Sequence, residues 1–311
     1  MQVVRDVNHL PEFNKSVITI GTFDGVHTGH REIISKIRNA ANQIRGKSII
    51  ITFHPHPRHI LTPEQPVYYL TTLEEKIKIL EQCHVDFVVV VPFSREFSEI
   101  EAEDYAENFL IKKFNPAVIV FGYDHKFGKD RSGDIHQLKE IANKYAIRVE
   151  EIPAYVIDNI AVSSSKIRKF LLEGNIAEAN ELLGYHYELT GHVVKGDQIG
   201  RTLGFPTANI YVEDENKLIP GDGVYVAEVE IKNRPAKYNG LLSIGSRPTF
   251  NKTEKRIEVY ILDFDEVIYG ETITVKISAF LRKDKKFNNA EELIDAMKAD
   301  KKNALELLSK N

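Results

Sequence analysis

The sequence has 311 residues, of which 42% are hydrophobic and 28% charged, proportions that suit a globular protein with up to two sizeable cores. Its net charge of −4 argues against a broad surface for nucleic acid or membranes. The single cysteine, Cys83, excludes an intrachain disulfide and a cysteine-rich metal site. The sequence shows no signal-peptide pattern and no apolar run of membrane-spanning length, so we expect a cytoplasmic location.

The first half of the chain alternates strand and helix patterns. Apolar, largely β-branched runs predict buried strands at 17–21, 48–53, 87–93 and 117–122. Apolar residues at three- and four-residue steps predict helices between them, at 29–45, 72–83, 101–114 and 134–145. This alternation predicts a doubly wound α/β sheet of the Rossmann type, which binds ligands beyond the carboxyl ends of its strands.

A glycine-rich stretch, Gly21 to His30, joins the first predicted strand to the first helix. Glycines let a ligand approach the backbone, and the N–H groups of a helix N-terminus suit a phosphate. His27 and His30 can donate hydrogen bonds to phosphate oxygens and, if protonated, offset charge that develops there. His-x-Gly-His after a first strand resembles the nucleotidylyltransferase superfamily, in which these histidines hold ATP phosphates. We therefore predict a phosphate site rather than a turn with two surface histidines.

Two other polar segments are predicted near the same sheet edge. His54, His56 and His59 suggest a metal cluster, but prolines follow the first two and no carboxylate or thiol lies nearby, so we favour a polar loop flanking the nucleotide. Further on, Ser163-Ser164-Ser165-Lys166-Ile167-Arg168 predicts a serine-capped helix start. Taken alone, that segment fits a plain cap with exposed basic residues better than an anion pocket.

The periodicity changes after a helix predicted at 175–183. Alternating patterns predict strands at 188–194, 207–212, 223–232, 236–244, 256–264 and 271–280, followed by a helix from 289. Six strands without helices between them suggest a small antiparallel barrel or sandwich. We place the domain boundary near 185, which gives domains at 1–185 and 186–311.

A second phosphate site is predicted in the later domain. Four glycines from Gly191 to Gly204 suit a loop around a phosphate chain, although the order of residues is not that of a Walker loop. Thr207 and Asn209 alternate onto one face of the next strand and offer two neutral oxygens. Such ligands suit Mg²⁺ when ATP supplies the negative charge.

Glu258 is an acidic residue in an otherwise apolar strand. Alternation places it opposite Ile257 and Val259, on the face that carries Arg256 and Tyr260. A glutamate on the solvent face is the simpler interpretation, but the nearby phosphate loop makes a role as general base plausible.

Both halves resemble the prokaryotic bifunctional FAD synthetases, in which a riboflavin kinase is joined to an FMN adenylyltransferase. The stretch Gly21–His30, the Ser-Ser-Ser-x-Ile-Arg segment and Gly204-Phe205-Pro206-Thr207-Ala208-Asn209 occur in the family's order. The resemblance implies that Glu258 is the kinase base and that Thr207 and Asn209 bind Mg²⁺. It implies an adenylyltransferase site for ATP at Gly21, Phe23, Asp24, Gly25, His27, His30, Ser164 and Arg168. It implies a kinase site for ATP at Gly191, Lys195, Gly196, Gly204 and Thr207.

The sequence departs from the family at two positions. His125 stands where the family usually has phenylalanine, and Ser243 stands where it usually has asparagine. Individual contacts to nucleotide or flavin at these two positions are therefore left open.

The ligands implied by the resemblance are ATP, riboflavin and FMN, with no nucleic acid, membrane or obligate protein partner. One alternative is a transferase that activates another phosphorylated cofactor precursor; another is a flavin-binding regulator without catalysis. A nucleic-acid binder related to tRNA synthetases fits poorly, because the chain is acidic and lacks a Lys-Met-Ser-Lys-Ser sequence.

Overall fold

The computed structural model describes residues 1–65, 67–122, 126–153, 156–157, 160–196, 198–248 and 253–309. The chain forms two compact units, Met1–Ser164 and Ser165–Asn311. None of the helices in the described ranges has the length and apolar character needed to cross a bilayer.

The first unit is built on a six-stranded sheet with the order β1-β4-β3-β2-β5-β6 and parallel pairing throughout. Its strands are β1 (Gln2–Val4), β2 (Ser16–Ile20), β3 (Lys47–His54), β4 (Phe87–Pro92), β5 (Pro116–Gly122) and β6 (Arg148–Ile152). The four predicted strands correspond to β2–β5. Strands β1 and β6 lie at the sheet edges and are only partly buried, so they lack the long apolar runs that identify the others.

Helices connect these strands. They are α1 (Thr28–Gln43), α2 (Pro57–Leu61), α3 (Leu73–Gln82), α4 (Arg95–Ser98), α5 (Ala102–Asp104), a π-helix (Tyr105–Ile111), α6 (Lys112–Phe114), a 3₁₀ turn (Lys129–Arg131) and α7 (Ile135–Asn143). The single helix predicted at 101–114 is thus three consecutive helical segments with a π-helix in the middle. A short antiparallel pair, β7 (Val156–Ile157) and β8 (Ile160–Ala161), completes this unit.

The core of the first unit lies between the sheet and its helices. Ile18, Ile49 and Ile119, from the three central strands, have no exposed surface, and Phe114 and Leu138 from the helical layer are equally buried. Burial of each such side chain contributes about 1.5–3 kcal/mol. This packing fixes the central strand β2. The strand order changes direction at β2, because β3 lies on one side of it and β5 on the other. A ligand-binding crevice is expected beyond such a strand.

The second unit is a closed barrel of six antiparallel strands with the order β10-β13-β12-β11-β14-β9. Its strands are β9 (Tyr187–Val194), β10 (Thr207–Tyr211), β11 (Gly223–Ile231), β12 (Lys237–Pro248), β13 (Thr253–Ile261) and β14 (Thr272–Arg282). Its helices are α8 (Ser164–Glu173), which begins in the first unit, α9 (Ile176–Leu183), α10 (Ile199–Thr202) and α11 (Ala290–Leu308). The predicted order of a parallel α/β sheet, an antiparallel barrel and a C-terminal helix is confirmed.

Helix α9 packs on the barrel through one asparagine. The Asn180 amide donates to the carbonyl of Ile277 at 2.9 Å, and its oxygen accepts from the N–H of Tyr187 at 2.8 Å. Ile176 and Leu183 on the same helix are buried. The predicted boundary near 185 therefore lies after helices that belong to the second compact unit, and whether 186–311 folds alone stays a prediction.

Candidate active sites

The glycine-rich stretch of the first unit forms the predicted strand, turn and helix. Strand β2 ends at Ile20 and helix α1 begins at Thr28, with His27 as its N-cap. The turn between them contains Phe23 at φ 47° and Val26 at φ 36°, conformations that residues other than glycine rarely adopt. Hydrogen bonds from outside the turn must therefore hold it in place.

Two histidines are stacked at the start of α1. The ring centroids of His27 and His30 lie 3.6 Å apart with an interplanar angle of 14°. His27 Nδ1 accepts from the N–H of His30 at 3.3 Å, so a neutral His27 carries its proton on Nε2. The structure thus brings together the two predicted phosphate-binding side chains.

His30 is held as a neutral imidazole. Burial lowers its pKa well below 6.5, and a positive charge on His27, when that ring is protonated, and on Lys76 lowers the pKa further. Its Nδ1 is buried and has no hydrogen-bond partner among the described residues. In this environment a protonated His30 that offsets charge is disfavoured, and a neutral donor or acceptor of hydrogen bonds fits instead.

Asp24 anchors the turn with a buried carboxylate. Its oxygens accept from the N–H groups of Leu70 at 3.0 and 3.1 Å and of Thr71 at 3.2 Å. The hydroxyl of Thr71 in turn accepts from the N–H of Gly25 at 3.1 Å. Ser164 donates its hydroxyl to the carbonyl of Asp24 at 3.0 Å. These bonds join two predicted site residues, Asp24 and Ser164, and they give the Asp24 carboxylate an anchoring position.

Lys76 is a residue of this site that the sequence analysis missed. It lies on α3 with a buried side chain, and its ammonium donates to the carbonyl of Thr22 at 2.7 Å. A signal for it exists in the sequence, because Lys76 falls midway between Leu73 and Ile79 on the apolar face of α3. A lysine at such a position is seldom buried without a partner.

The histidines after β3 form an aromatic group with Tyr69. The rings of His59 and Tyr69 are stacked with centroids 4.9 Å apart, and His59 Nε2 lies 2.7 Å from the carbonyl oxygen of Val67. His56 Nδ1 accepts from the N–H of Arg58 and caps α2. His125, one of the two departures from the family pattern, lies outside the described residues.

The second candidate site lies on the outer face of the barrel. Glu258 of β13 stands directly opposite Asn209 of β10 on one side and Ser243 of β12 on the other. Thr207 lies two residues before Asn209, and its hydroxyl donates to Glu258 Oε2 at 3.4 Å. The structure therefore gathers the predicted metal ligands and the predicted base, and it adds Ser243 to the same row.

Glu258 is largely buried and ion-paired. Its carboxylate contacts the Nε of Arg256, two residues earlier on the same face of β13, and its side chain is 17% exposed. Its neighbours Ile257 and Val259 point into the barrel and are buried. The predicted alternation along this strand is confirmed.

The glycine loop closes over this row of side chains. A Cβ at Gly196 would lie 2.3 Å from Asn209 Nδ2, and one at Gly200 would lie 2.3 Å from the carbonyl oxygen of Phe205. Gly204 has a φ of 83°, which favours glycine. The predicted placement of Gly191 in the loop is wrong: Gly191 lies inside β9, and a Cβ there would lie 2.4 Å from the carbonyl oxygen of Tyr211. Close strand packing therefore accounts for that glycine.

Known proteins match both units. The sequence profile of the FAD synthetase family matches residues 10–166, and that of the riboflavin kinase family matches residues 183–308. A bifunctional riboflavin kinase/FMN adenylyltransferase from Listeria monocytogenes is 37% identical over 96% of this chain and 94% of its own length. The protein of that name from Buchnera aphidicola of Acyrthosiphon pisum is 36% identical over 96% of both chains, and that from Escherichia coli K12 is 31% identical over 94% and 93%.

A solved structure agrees over nearly the full length. A Streptococcus pneumoniae chain described as a macrolide-efflux protein superimposes with a TM-score of 0.88, at 33% identity over 97% of both chains. The family profiles cover the two candidate sites separately, and the curated relatives span both. The chain therefore belongs to the family of bifunctional riboflavin kinase/FMN adenylyltransferases.

Proposed function

We propose that this chain makes FAD from riboflavin in two ATP-dependent steps, each at its own site. The first step phosphorylates riboflavin to FMN in the barrel, and the second transfers an adenylyl group from ATP to FMN in the sheet unit. The observation that carries this division is that each family profile covers one of the two sites, apart from Arg168, which lies between the two matched ranges. We propose 1–185 as the adenylyltransferase domain and 186–311 as the kinase domain.

In the barrel, Glu258 is the base. Its carboxylate accepts the proton of the riboflavin 5′-hydroxyl as that oxygen forms a bond to the γ-phosphorus of ATP and the bond to ADP breaks. The Thr207 hydroxyl donates to Oε2 of this carboxylate and orients the carboxylate. Gly196 and Gly204 lie in the loop that binds the phosphates, together with Lys195; Gly191 is needed for strand packing.

The oxygen atoms beside Glu258 fit a hard cation. Thr207 and Asn209 supply a hydroxyl and an amide oxygen on one strand face, and Gly196 leaves room for the Asn209 side chain. These two residues would hold Mg²⁺ bound to ATP, and the metal would neutralise phosphate charge there. Because both protein ligands are neutral, the positive charge of the cation remains available to attract the phosphates of the nucleotide.

In the sheet unit, the FMN phosphate is itself the nucleophile. Its oxygen forms a bond to the α-phosphorus of ATP, and the bond to pyrophosphate breaks. His27 donates from Nε2, and His30 acts as a neutral partner for phosphate oxygens. Gly21, Phe23 and Gly25 shape the turn, Asp24 and Ser164 anchor it, and Arg168 supplies positive charge. No covalent enzyme intermediate is required.

ATP, riboflavin and FMN are the ligands that these steps require. We propose a cytoplasmic location because both steps consume ATP, and we propose that the chain acts without nucleic acid, membrane or an obligate protein partner.

The test is to incubate the purified protein with Mg-ATP and either riboflavin or FMN, and to separate the flavins by chromatography. We expect FMN and then FAD from riboflavin, and FAD from FMN. His30→Ala should slow adenylylation about 10²–10³-fold, because one transition-state partner is lost, while riboflavin phosphorylation stays near normal. Flavin binding without any product would favour a regulator, and failure to phosphorylate riboflavin would favour a transferase for another precursor.

A further inference from the structure

Lys76 is a buried cation to which the two-step mechanism assigns no role. It lies in the second turn of α3, four residues after the N-cap Thr72, and its whole side chain is buried. The neighbouring Lys78 on the same helix is exposed. Because a buried ammonium loses its hydration, the fold must return hydrogen bonds and opposite charge to it.

The hydrogen bond of Lys76 falls on the glycine-rich turn. Its Nζ donates to the carbonyl of Thr22 at 2.7 Å, and the hydroxyl of Thr52 donates to the same oxygen at 3.0 Å. Two donors on one carbonyl fix the peptide plane between Thr22 and Phe23. This plane precedes Phe23, whose φ of 47° is unfavourable without such support.

Phe23 transmits this constraint to the histidines. Its ring lies against His30 with centroids 4.9 Å apart, and His30 is stacked on His27. A change at the Thr22 carbonyl therefore moves the side chain that contacts His30, and through His30 it affects the ring of His27 stacked on it. The contact chain runs from Lys76 through Thr22 and Phe23 to His30.

The charge of Lys76 also acts on this site. The described groups that influence His30 electrostatically are His27 on its own turn and Lys76 from α3. Burial lowers the pKa of Lys76, and the Asp24 carboxylate opposes that shift and favours the charged ammonium. A fixed positive charge thus stands beside a neutral imidazole, where the proposed adenylyl transfer develops negative charge on phosphate oxygens.

We propose that Lys76 is a positioning residue of the adenylyl-transfer site, which holds the Thr22–Phe23 peptide in place and supplies a fixed positive charge beside His30. This inference rests on the proposed function of the first unit. According to this proposal, the conformation of the glycine-rich turn before α1 depends on a residue of another helix, α3. The kinase site in the barrel does not depend on it.

Three substitutions in the full-length chain separate the two proposed roles of Lys76, which are to hold the Thr22–Phe23 peptide and to supply positive charge. Lys76→Met keeps the length of the side chain but removes its charge and its hydrogen bond. Thr52→Val removes only the other hydrogen bond to Thr22, and Lys78→Met repeats the lysine substitution at an exposed position of the same helix. The measurements are kcat and KM for FMN adenylylation, the rate of riboflavin phosphorylation, and an NMR titration of His30, assigned by comparison with His30→Ala.

Lys76→Met should lower adenylylation about 10²-fold, mainly in kcat, as expected for a displaced reacting geometry. It should also raise the pKa of His30, because a neighbouring positive charge is gone. Thr52→Val should slow adenylylation and leave the His30 titration unchanged, and Lys78→Met should change neither. Riboflavin phosphorylation should stay near wild type in all three variants.

Adenylylation by Lys76→Met at the rate of Lys78→Met would overturn the proposal. A slow Lys76→Met with an unchanged His30 titration would overturn the charge role. If Lys76→Met does not fold, Lys76→Arg tests the charge role instead. This variant keeps the positive charge, so the pKa of His30 should stay low. A His30 pKa close to that of a free histidine would contradict the charge role. A wild-type chain that does not adenylylate FMN would contradict the proposed function, while the His30 titration would still test Lys76.

Discussion

Asn209 of β10 lies directly opposite Glu258 of β13, so a proposed metal ligand and the proposed base share the outer face of the barrel. Ser243 continues the row on β12. Facing residues on neighbouring antiparallel strands lie close enough for their side chains to interact. One strand register therefore assembles the kinase site from three separate segments of the chain.

Asn209→Ala should raise the Mg²⁺ concentration that riboflavin phosphorylation requires, because an oxygen ligand of the cation is lost. The measurement is a Mg²⁺ titration of the kinase rate at saturating ATP, with FMN adenylylation in the same protein as the control. Identical titrations for Asn209→Ala and wild type would remove Asn209 from the metal shell.

Gly196→Ala should impair the kinase step by displacing Asn209, since the new methyl group would lie 2.3 Å from Asn209 Nδ2. A shift of this kind in a site residue can cost about 10²-fold in rate. The matched test places Gly196→Ala in the Asn209→Ala background, where the clash is absent and the alanine should have little further effect. Equal losses in both backgrounds would show that the glycine acts by another route.

The pH dependence of stability follows from His30. Its pKa in the folded chain lies well below 6.5, so between these two pKa values the unfolded chain binds a proton that the folded chain does not. The free energy of unfolding should therefore fall as the pH drops below 6.5, by up to about 1.4 kcal/mol per pH unit for one proton. Denaturant unfolding on both sides of this pH should show the effect, and His30→Ala should reduce it. Parallel pH profiles for the two proteins would argue against a neutral, buried His30.

Removing α8 and α9 should destabilise the barrel. A fragment of residues 165–311 keeps the Asn180 bonds to Ile277 and Tyr187 and the buried face of α9, whereas a fragment of residues 186–311 loses both. Both should phosphorylate riboflavin and neither should make FAD, because His27 and His30 are absent. Urea unfolding should show the longer fragment to be more stable by at least about 2 kcal/mol. Equal stabilities would place α9 outside the cooperative unit of the barrel.

Periodicity predicts the main elements because burial acts on each strand locally. The buried runs of β2–β5 identify the parallel sheet, and alternation along β13 correctly turns Glu258 away from Ile257. Edge strands β1 and β6 escape prediction because they bury too little surface to need an apolar run.

Contacts between distant segments are not readable in this way. Nothing local in the sequence indicates that Lys76 reaches Thr22, or that the Asp24 carboxylate binds the N–H groups of Leu70 and Thr71. The cluster of glycines predicts that Gly191 belongs to the phosphate loop, but Gly191 lies in β9, where close packing against β10 leaves no room for a side chain. The sequence shows where a glycine stands, but the reason that a glycine is required there lies in its contact with a strand distant in sequence.

The most direct test of two separate sites is Glu258→Gln in the full-length chain, supplied with Mg-ATP and either riboflavin or FMN. The substitution keeps the shape of the side chain and removes the proton acceptor, which typically contributes about 10²–10⁴ in rate. We predict that FMN formation from riboflavin falls by that factor, while FAD forms from supplied FMN at the wild-type rate. Full kinase activity, or an equal loss of both activities in a folded protein, would contradict the account.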